Sequence, residues 1–354
     1  MKNFNEIYEK VYREHGPEIE EMRKKAQKTS NTIIILWVIL ILFSLPISML
    51  GFIFFILVVI AYVAMIVYTV LGLTLSKDYR NFIMKYKENI IGSFVKSYDE
   101  KLNYDPNNGI GSAIYRKAGF EGFDTFHTED LISGIISDKY NISFAEVHTE
   151  RESTDSDGNT THYTVFHGLF GVVDLNTVLG ANIKIRKNGV SLFDRKYRLE
   201  MDSQEFEKIF NIYTTDKITA MQLMTADVMQ TLIDFRNKNK IAPEISIIAD
   251  RLYIRFATEN VFEPKLRQNS FDYSTLLKYY NIINFTLDIT EKMIKNIRET
   301  AEINGIDNVM EMTEEKDRLN KIEYNNANTR RTRNALICII IFFAYIILRI
   351  MVGL

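Results

Sequence analysis

From Thr32 to Leu75 the chain reads TIIILWVILILFSLPISMLGFIFFILVVIAYVAMIVYTVLGLTL, without one Asp, Glu, Lys, Arg or His. A helix needs about 20 apolar residues to cross a hydrocarbon core about 30 Å thick, and this run is roughly twice that length. Two membrane helices folded back on each other satisfy it, one from about Thr32 to Met49 and one from about Phe52 to Leu75. A turn at Ser48–Gly51 leaves Pro46 in the last turn of the first helix, where its missing N–H is tolerable. Trp37 and Tyr68 are amphipathic rings suited to headgroup level. Neither span carries an ionisable residue, so a proton relay or ion path through the pair is not expected. Arg23, Lys24, Lys25 and Lys28 precede the pair, Lys77, Arg80, Lys85 and Lys87 follow it, and the turn is uncharged. The positive-inside rule then puts both flanks in the cytoplasm.

The remaining sequence is mixed and charged. Its 354 residues and net charge of -2 leave room for a separate core and give no argument for a nucleic-acid partner. The single cysteine, Cys338, excludes an intramolecular disulfide and fits a reducing compartment. The segment before Ile33 is too long and charged for the start of a cleavable leader. The expected order is a polar lead-in over 1–31, two spans over 32–75 and a cytoplasmic α+β domain over 76–303. A polar helical stalk over 304–333 and a third span over 334–354 follow. The domain is expected to be a mostly antiparallel sheet flanked by helices. Arg330, Arg331 and Arg333 hold the start of the third span in the cytoplasm, so the C-terminus exits outside, with Arg349 snorkelling to the far headgroups.

Hydrophobic periodicity fills in the elements. Phe4, Ile7, Tyr8, Val11 and Tyr12 form a helical stripe that Gly16-Pro17 interrupts before a charged helix over Glu18–Lys28. Residues 77–102 read as an amphipathic helix with Phe82, Tyr86, Ile90 and Phe94 on one stripe, widened by Ile91, Val95 and Tyr98. Tyr104–Ser112 reads as loop. Leu131–Ser137 and Tyr140–His148 predict a hairpin with Tyr140, Ile142 and Phe144 on one face. Glu150–Thr161 is a polar loop with an Asp157-Gly158 turn, and His162–Leu175 is a central strand whose glycines suggest close backbone approach. Ile183–Lys187, Asn188-Gly189 and Val190–Phe193 predict a two-residue hairpin. Asp202-Ser-Gln-Glu205 resembles a capping box ahead of Phe206, Ile209 and Phe210. Lys217–Asn237 is helical through Ile218, Met221, Met224, Val228, Leu232 and Phe235, with Thr225 capping a fresh helix. Glu244–Ile248 and Leu252–Phe256 form a last hairpin, and Tyr273–Ile303 a long helix.

No nucleophile, zinc or P-loop motif is present. Gly109-x-Gly111 lacks a preceding strand and the rest of a phosphate fingerprint. Asp155, Asp157 and Asn159 imitate a calcium loop, but the glycine falls too early and no Glu occupies the twelfth position. The domain's histidines are His127, His148, His162 and His167; if the strands flanking the acidic tip pair, His148 and His162 approach each other, giving two ligands where zinc takes three or four. Glu129 and Asp130 point to opposite faces of a regular strand and suit a helix start or a turn better than a catalytic dyad. Asp174 and Asn176 share a face, or serve as turn and cap. No catalytic, cofactor-binding or metal residue is assigned, and no cofactor is expected.

Glu129-Asp130 with Gly134 (TEDLISG), Phe166-x-Gly168-Leu169-Phe170 followed by Asp174 and Asn176 (FHGLFGVVDLN), and EFEKIFNIYTTDKITAMQLMT at 205–225 carry a resemblance. From about Phe94 to Asn260 the chain resembles the bacterial membrane-protein family built on the domain of unknown function numbered 3137. That family similarly places paired membrane helices ahead of a soluble domain and has no established activity. The resemblance implies a LemA-type membrane protein as partner. The expected function is a membrane-tethered binding or scaffold module that meets the bilayer and a membrane or cytoplasmic protein. The alternatives are a membrane-associated enzyme with a site near the 140–176 strands, or a membrane-stress sensor.

Overall fold

The computed structural model describes residues 3–48, 52–74, 77–137, 139–155, 160–176, 179, 181–189, 195–258 and 261–303. The expected turn at Ser48–Gly51, the Asp157-Gly158 tip, the strand at 190–193, the stalk, the third span and Cys338 lie wholly or largely outside these residues. The described chain falls into two units, one within Met1–Tyr98 and Phe262–Ile283, the other within Asp99–Val261 and Asn284–Leu354.

The first unit is helical. α1 (Phe4–Ser48) is one helix of 45 residues, so Gly16-Pro17 does not interrupt it. The buried stripe explains this: Phe4, Ile7, Val11, Ile19, Arg23 and Ala26 continue at helical spacing across the Gly-Pro step. Gly16 makes room for the Tyr12 ring, which a Cβ there would meet at 2.8 Å. Tyr12 itself is exposed, off the expected stripe, and stacks on Tyr8 with centroids 6.3 Å apart. Buried Arg23 reaches the Leu266 carbonyl and holds the Glu20 carboxylate at 2.9 Å; the hydrogen bond from Arg23 to Glu20 keeps that carboxyl below the usual carboxylate range.

α2 (Phe52–Thr74) lies beside the second half of α1. The Trp37 Nε1–H donates to Thr69 Oγ1 at 2.8 Å, and the Tyr62 hydroxyl to Ser44 Oγ at 3.2 Å. Seven residues forward on α1 match seven backward on α2, so the two run antiparallel. Among the described residues one helix, Phe4–Ser44 within α1, is long and apolar enough to cross a membrane; α2 holds a shorter apolar helix over Phe55–Thr69. The expected helix after Leu75 is present as α3 (Lys77–Tyr86) and α4 (Gly92–Tyr98), with a π-helical turn at Lys87–Ile91 between them. Phe82, Tyr86, Ile90, Ile91, Phe94 and Val95 are buried as the stripe requires.

The second unit is α+β, built on an antiparallel sheet. Its described strands are β1 (Asn103–Asp105), β2 (Thr125–Ile136), β3 (Tyr140–Thr154), β4 (Thr160–Asp174), β5 (Ile183–Lys187), β6 (Arg198–Leu199), β7 (Phe210–Thr214), β8 (Glu244–Ile248) and β9 (Arg251–Ala257), in the order β1-β2-β3-β4-β9-β8-β5-β7-β6. The described helices are α5 (Ser112–Lys117), α6 (Gln204–Ile209), α7 (Lys217–Leu223), α8 (Ala226–Asn239) and α9 (Tyr273–Ile303), which runs through both units. One face carries Phe144, Leu169, Ile254, Phe256, Ile245 and Ile185, and Phe235 of α8 and Phe285 of α9 close on Phe256 with centroids 5.7 Å away. The other face packs Val147, Phe166, Phe170 and Tyr253 against Ile114 and Tyr115 of α5.

Several expectations change here. β5 pairs with β7 and with β8, and the expected partner strand at 190–193 lies outside the described residues. Asn188 serves a different joint, its N–H donating to the Ile209 carbonyl at 2.7 Å. The cap of α6 is Ser203, whose Oγ accepts the Phe206 N–H at 3.3 Å, and Phe210 opens a strand. Thr225 does cap α8. Ile218 and Met221 of α7 are exposed. β4 is central, and its glycines do permit close approach: a Cβ on Gly168 would lie 1.9 Å from the Phe256 carbonyl oxygen, and one on Gly171 would strike the Phe144 ring at 2.0 Å.

Candidate functional site

On the α5 side of β2–β4 the sheet opens into a cavity of about 220 Å³. Its apolar wall includes Ile110, Ile114 and Val172; its polar atoms come from Ser133, Asn141, Ser143, Asp174 and Arg251. Alternation along each strand brings these residues to one face, because Asp174 opposes Arg251 across β4–β9 and Ser143 opposes Val172 across β3–β4. Arg251 Nε lies 3.0 Å from Asp174 Oδ1, with both side chains largely buried. A buried charge is stable only when paired, so Asp174 and Arg251 enter the cavity wall as a neutral pair. That combination suits a small polar or zwitterionic molecule.

Gly109-Ile110-Gly111 forms one lip of this cavity. A strand, β1, does precede it, contrary to expectation, and α5 follows. The loop nevertheless turns its amide inward: the Ile110 N–H donates to Thr128 Oγ1 at 3.2 Å, and a Cβ on Gly109 would meet that hydroxyl at 2.2 Å. The glycine serves packing and is no phosphate cradle.

On the opposite face, three of the chain's five histidines stand abreast on β2, β3 and β4. His127 opposes His148, and His148 opposes His167. The His127 and His148 centroids are 6.3 Å apart, and His148 and His167 stack at 4.5 Å. His148 Nε2 is 3.0 Å from Thr164 Oγ1 and 3.8 Å from Glu150 Oε1. Buried Glu146 accepts the Val261 N–H at 3.0 Å on one oxygen and meets His167 Nε2 at 2.8 Å on the other. Burial pushes the Glu146 carboxyl above its ordinary range, against the opposing effect of His167.

The structure separates the pair expected from sequence. His162 opposes Glu152 on an exposed two-stranded ribbon, away from His148. Glu129 and Asp130 sit at a bulge between Glu129 and Ile132, where Asp130 takes φ +60 and accepts the Tyr104 hydroxyl at 2.5 Å. Asp174 joins the cavity, whereas Asn176, at φ +55, donates to the Lys139 carbonyl at 3.2 Å. Of the acidic tip, Asp157 and Asn159 lie outside the described residues. Arg251 and the His127–His148–His167 row were the missed residues. Arg251 was visible as the last turn residue of a hairpin, and the row needed the register.

No curated protein matches the chain. A crystal structure of the mycobacterial trehalose monomycolate transport factor A, TtfA, is similar at 10% identity, covering 57% of this chain and 93% of that one, with a TM-score of 0.29. A likeness at that score carries no argument about this chain. Residues 164–295 match the family model described as "Protein of unknown function (DUF3137)". The FHGLFGVVDLN and 205–225 motifs fall inside the match and TEDLISG before it, and over the matched residues the chain resembles that family.

Proposed function

We propose that the chain is a membrane-anchored binding module, with α1 and α2 crossing the bilayer and the sheet domain taking a small polar molecule into its cavity on the cytoplasmic side. The carrying observation is the surface of the paired helices: Ile35, Leu42, Phe43, Leu57 and Ile60 are all more than half exposed on a stretch without a charge. Such a surface is unstable in water and ordinary in lipid. Binding is favoured over catalysis because the cavity's ionisable groups, Asp174 and Arg251, neutralise each other, and the histidine row faces the other way. A LemA-type membrane protein belongs to this reading as a partner, and gentle solubilisation with affinity capture checks it.

The location is tested in a Cys338→Ser background carrying Thr161→Cys. A maleimide that cannot pass lipid should label this chain only after the cells are opened. Labelling in intact cells overturns the cytoplasmic placement. The ligand is tested by native mass spectrometry of the chain released from nanodiscs: a small bound mass should disappear in Ser143→Trp, whose indole fills the cavity. A spectrum identical in both chains removes the ligand.

A further inference from the structure

We propose that the charged end of the helix pair is a docking surface for anionic phospholipid headgroups, built from Lys24, Lys25 and Lys28 of α1 with Lys77 and Arg80 of α3. Such docking rests on the reading of α1 and α2 as spans, and extends it to the class of lipid they gather.

From Arg23 to Arg80 the sequence carries seven charged residues, and Asp78 is the single acid among them. Arg23 is buried and turned to Glu20 and the Leu266 carbonyl. Lys24, Lys25, Lys28, Lys77 and Arg80 are all exposed. At about 100° per residue, Lys24, Lys25 and Lys28 fall within about a third of a helical turn. The buried Ile19, Arg23, Ala26 and Ile33 lie on the other side of α1. On α3, Lys77 and Arg80 likewise stand away from buried Phe82 and Tyr86. The two basic faces adjoin, because Lys25 Nζ meets Asp78 Oδ1 at 2.9 Å. That pair neutralises one of five cations, so the surface keeps a net positive charge.

Helix register sets the depth. The Trp37–Thr69 and Tyr62–Ser44 hydrogen bonds continue the antiparallel pairing from the charged end into the apolar stretch. Lys28 precedes Thr32 by one helical turn, about 6 Å, and Lys77 follows Leu75 by two residues. An uncharged pair lying in lipid therefore seats these cations at headgroup level. There a Lys or Arg stem lies along the apolar boundary while its charge reaches a phosphate. The next acids out are Glu21 before the pair and Glu88 after it. Glu21 is about 16 Å along α1 from Thr32, about twice the screening length of about 8 Å at physiological salt. The headgroups thus meet charge of one sign, and the sign complements an anionic lipid.

The chain's single tryptophan, Trp37, is half-buried on α1 nine residues inward from Lys28, and reports which lipid lies beside it. The full chain is reconstituted in vesicles of phosphatidylcholine and phosphatidylglycerol, with one or the other carrying dibrominated acyl chains that quench indole fluorescence. The quenching curves should give a preference for phosphatidylglycerol of about threefold to fivefold at physiological salt, the effect of one Lys or Arg near its headgroup. The preference should fall toward unity at about 1 M salt, where screening shortens to about 3 Å. It should fall likewise in the chain carrying Lys24→Gln, Lys28→Gln, Lys77→Gln and Arg80→Gln. Lys217→Gln with Lys238→Gln, at exposed positions of α7 and α8, should leave it unchanged. Circular dichroism separates lost preference from lost fold, and if the four-site variant does not fold the salt dependence decides. Equal quenching by the two brominated lipids leaves the membrane reading intact and overturns the docking surface. No quenching by either lipid overturns both. A preference that is insensitive to salt, that survives in the folded four-site variant, or that falls equally in the Lys217 and Lys238 variant overturns the assignment to these residues.

Discussion

Asp216 ends the turn after β7 and caps α7. Its carboxylate accepts the Thr219 hydroxyl at 2.7 Å and the Ile218 N–H at 2.9 Å. The Thr219 hydroxyl and the helix-end amides hold its carboxyl below the usual range. Replacing such a cap by Ala typically costs about 1 kcal/mol. A lowered carboxyl stabilises fully above its unfolded value and loses that contribution as pH falls through the folded one. The denaturation midpoints of the native chain and Asp216→Ala should therefore differ by a constant amount near neutrality and converge below about pH 4. A gap that persists at low pH assigns the effect to helix propensity. Other residue-scale features were hidden by pairing. The polarity of Glu150–Thr154 and Thr160–Thr161 predicts loop, yet Glu152 opposes His162 and Thr154 opposes Thr160. The tip is shorter than composition suggests, and a bulge at Thr149/Glu150 shifts the register once more, which hands His148 to His167.

Long, strongly periodic elements were legible: the helix from Tyr273, the split at Thr225 and the β8–β9 hairpin all fall where spacing and caps put them. Short buried ones were not. β7 (FNIYT) is buried along its whole length, so it shows no alternation, and it directly follows a helix. The π turn was equally silent, since one extra residue in a helical stretch leaves the apolar stripe almost intact. It matters because Lys87, in that turn, is 2% exposed and pairs with Glu263, which is 32% exposed. The two partners are not equivalent. Glu263→Gln takes this counter-charge away from a buried ammonium, and should lower stability by more than about 1 kcal/mol. Lys87→Met leaves a carboxylate that water can still reach, and should cost less than about 1 kcal/mol. Urea unfolding of both variants, followed by helical ellipticity, checks the order; equal losses contradict it.

Across the whole chain, the apolar run spoke most clearly, because lipid solvation is a demand on composition and needs no knowledge of register. On the proposed reading its exposed side chains form the N-terminal anchor, and they lie within the described residues. The expected third span over 334–354 is a separate matter, and the two anchors make different demands. With α1 and α2 both in the bilayer, the terminal span adds to an attachment that is already secure. If only the helix within α1 inserts, the chain still keeps a membrane-length segment, since that helix alone has the length and hydropathy to cross. A chain ending at Arg333 should then stay with the membrane pellet after alkaline carbonate extraction. Adding Leu42→Arg, at a site 65% exposed on the same helix, should move a measurable fraction to the supernatant, since an arginine at a helix centre costs about 2.5–3.5 kcal/mol to insert. Release of the Arg333-terminated chain without that substitution would transfer the anchoring to the C-terminal run. Retention of both chains in full would mean that the second helix holds the chain unaided.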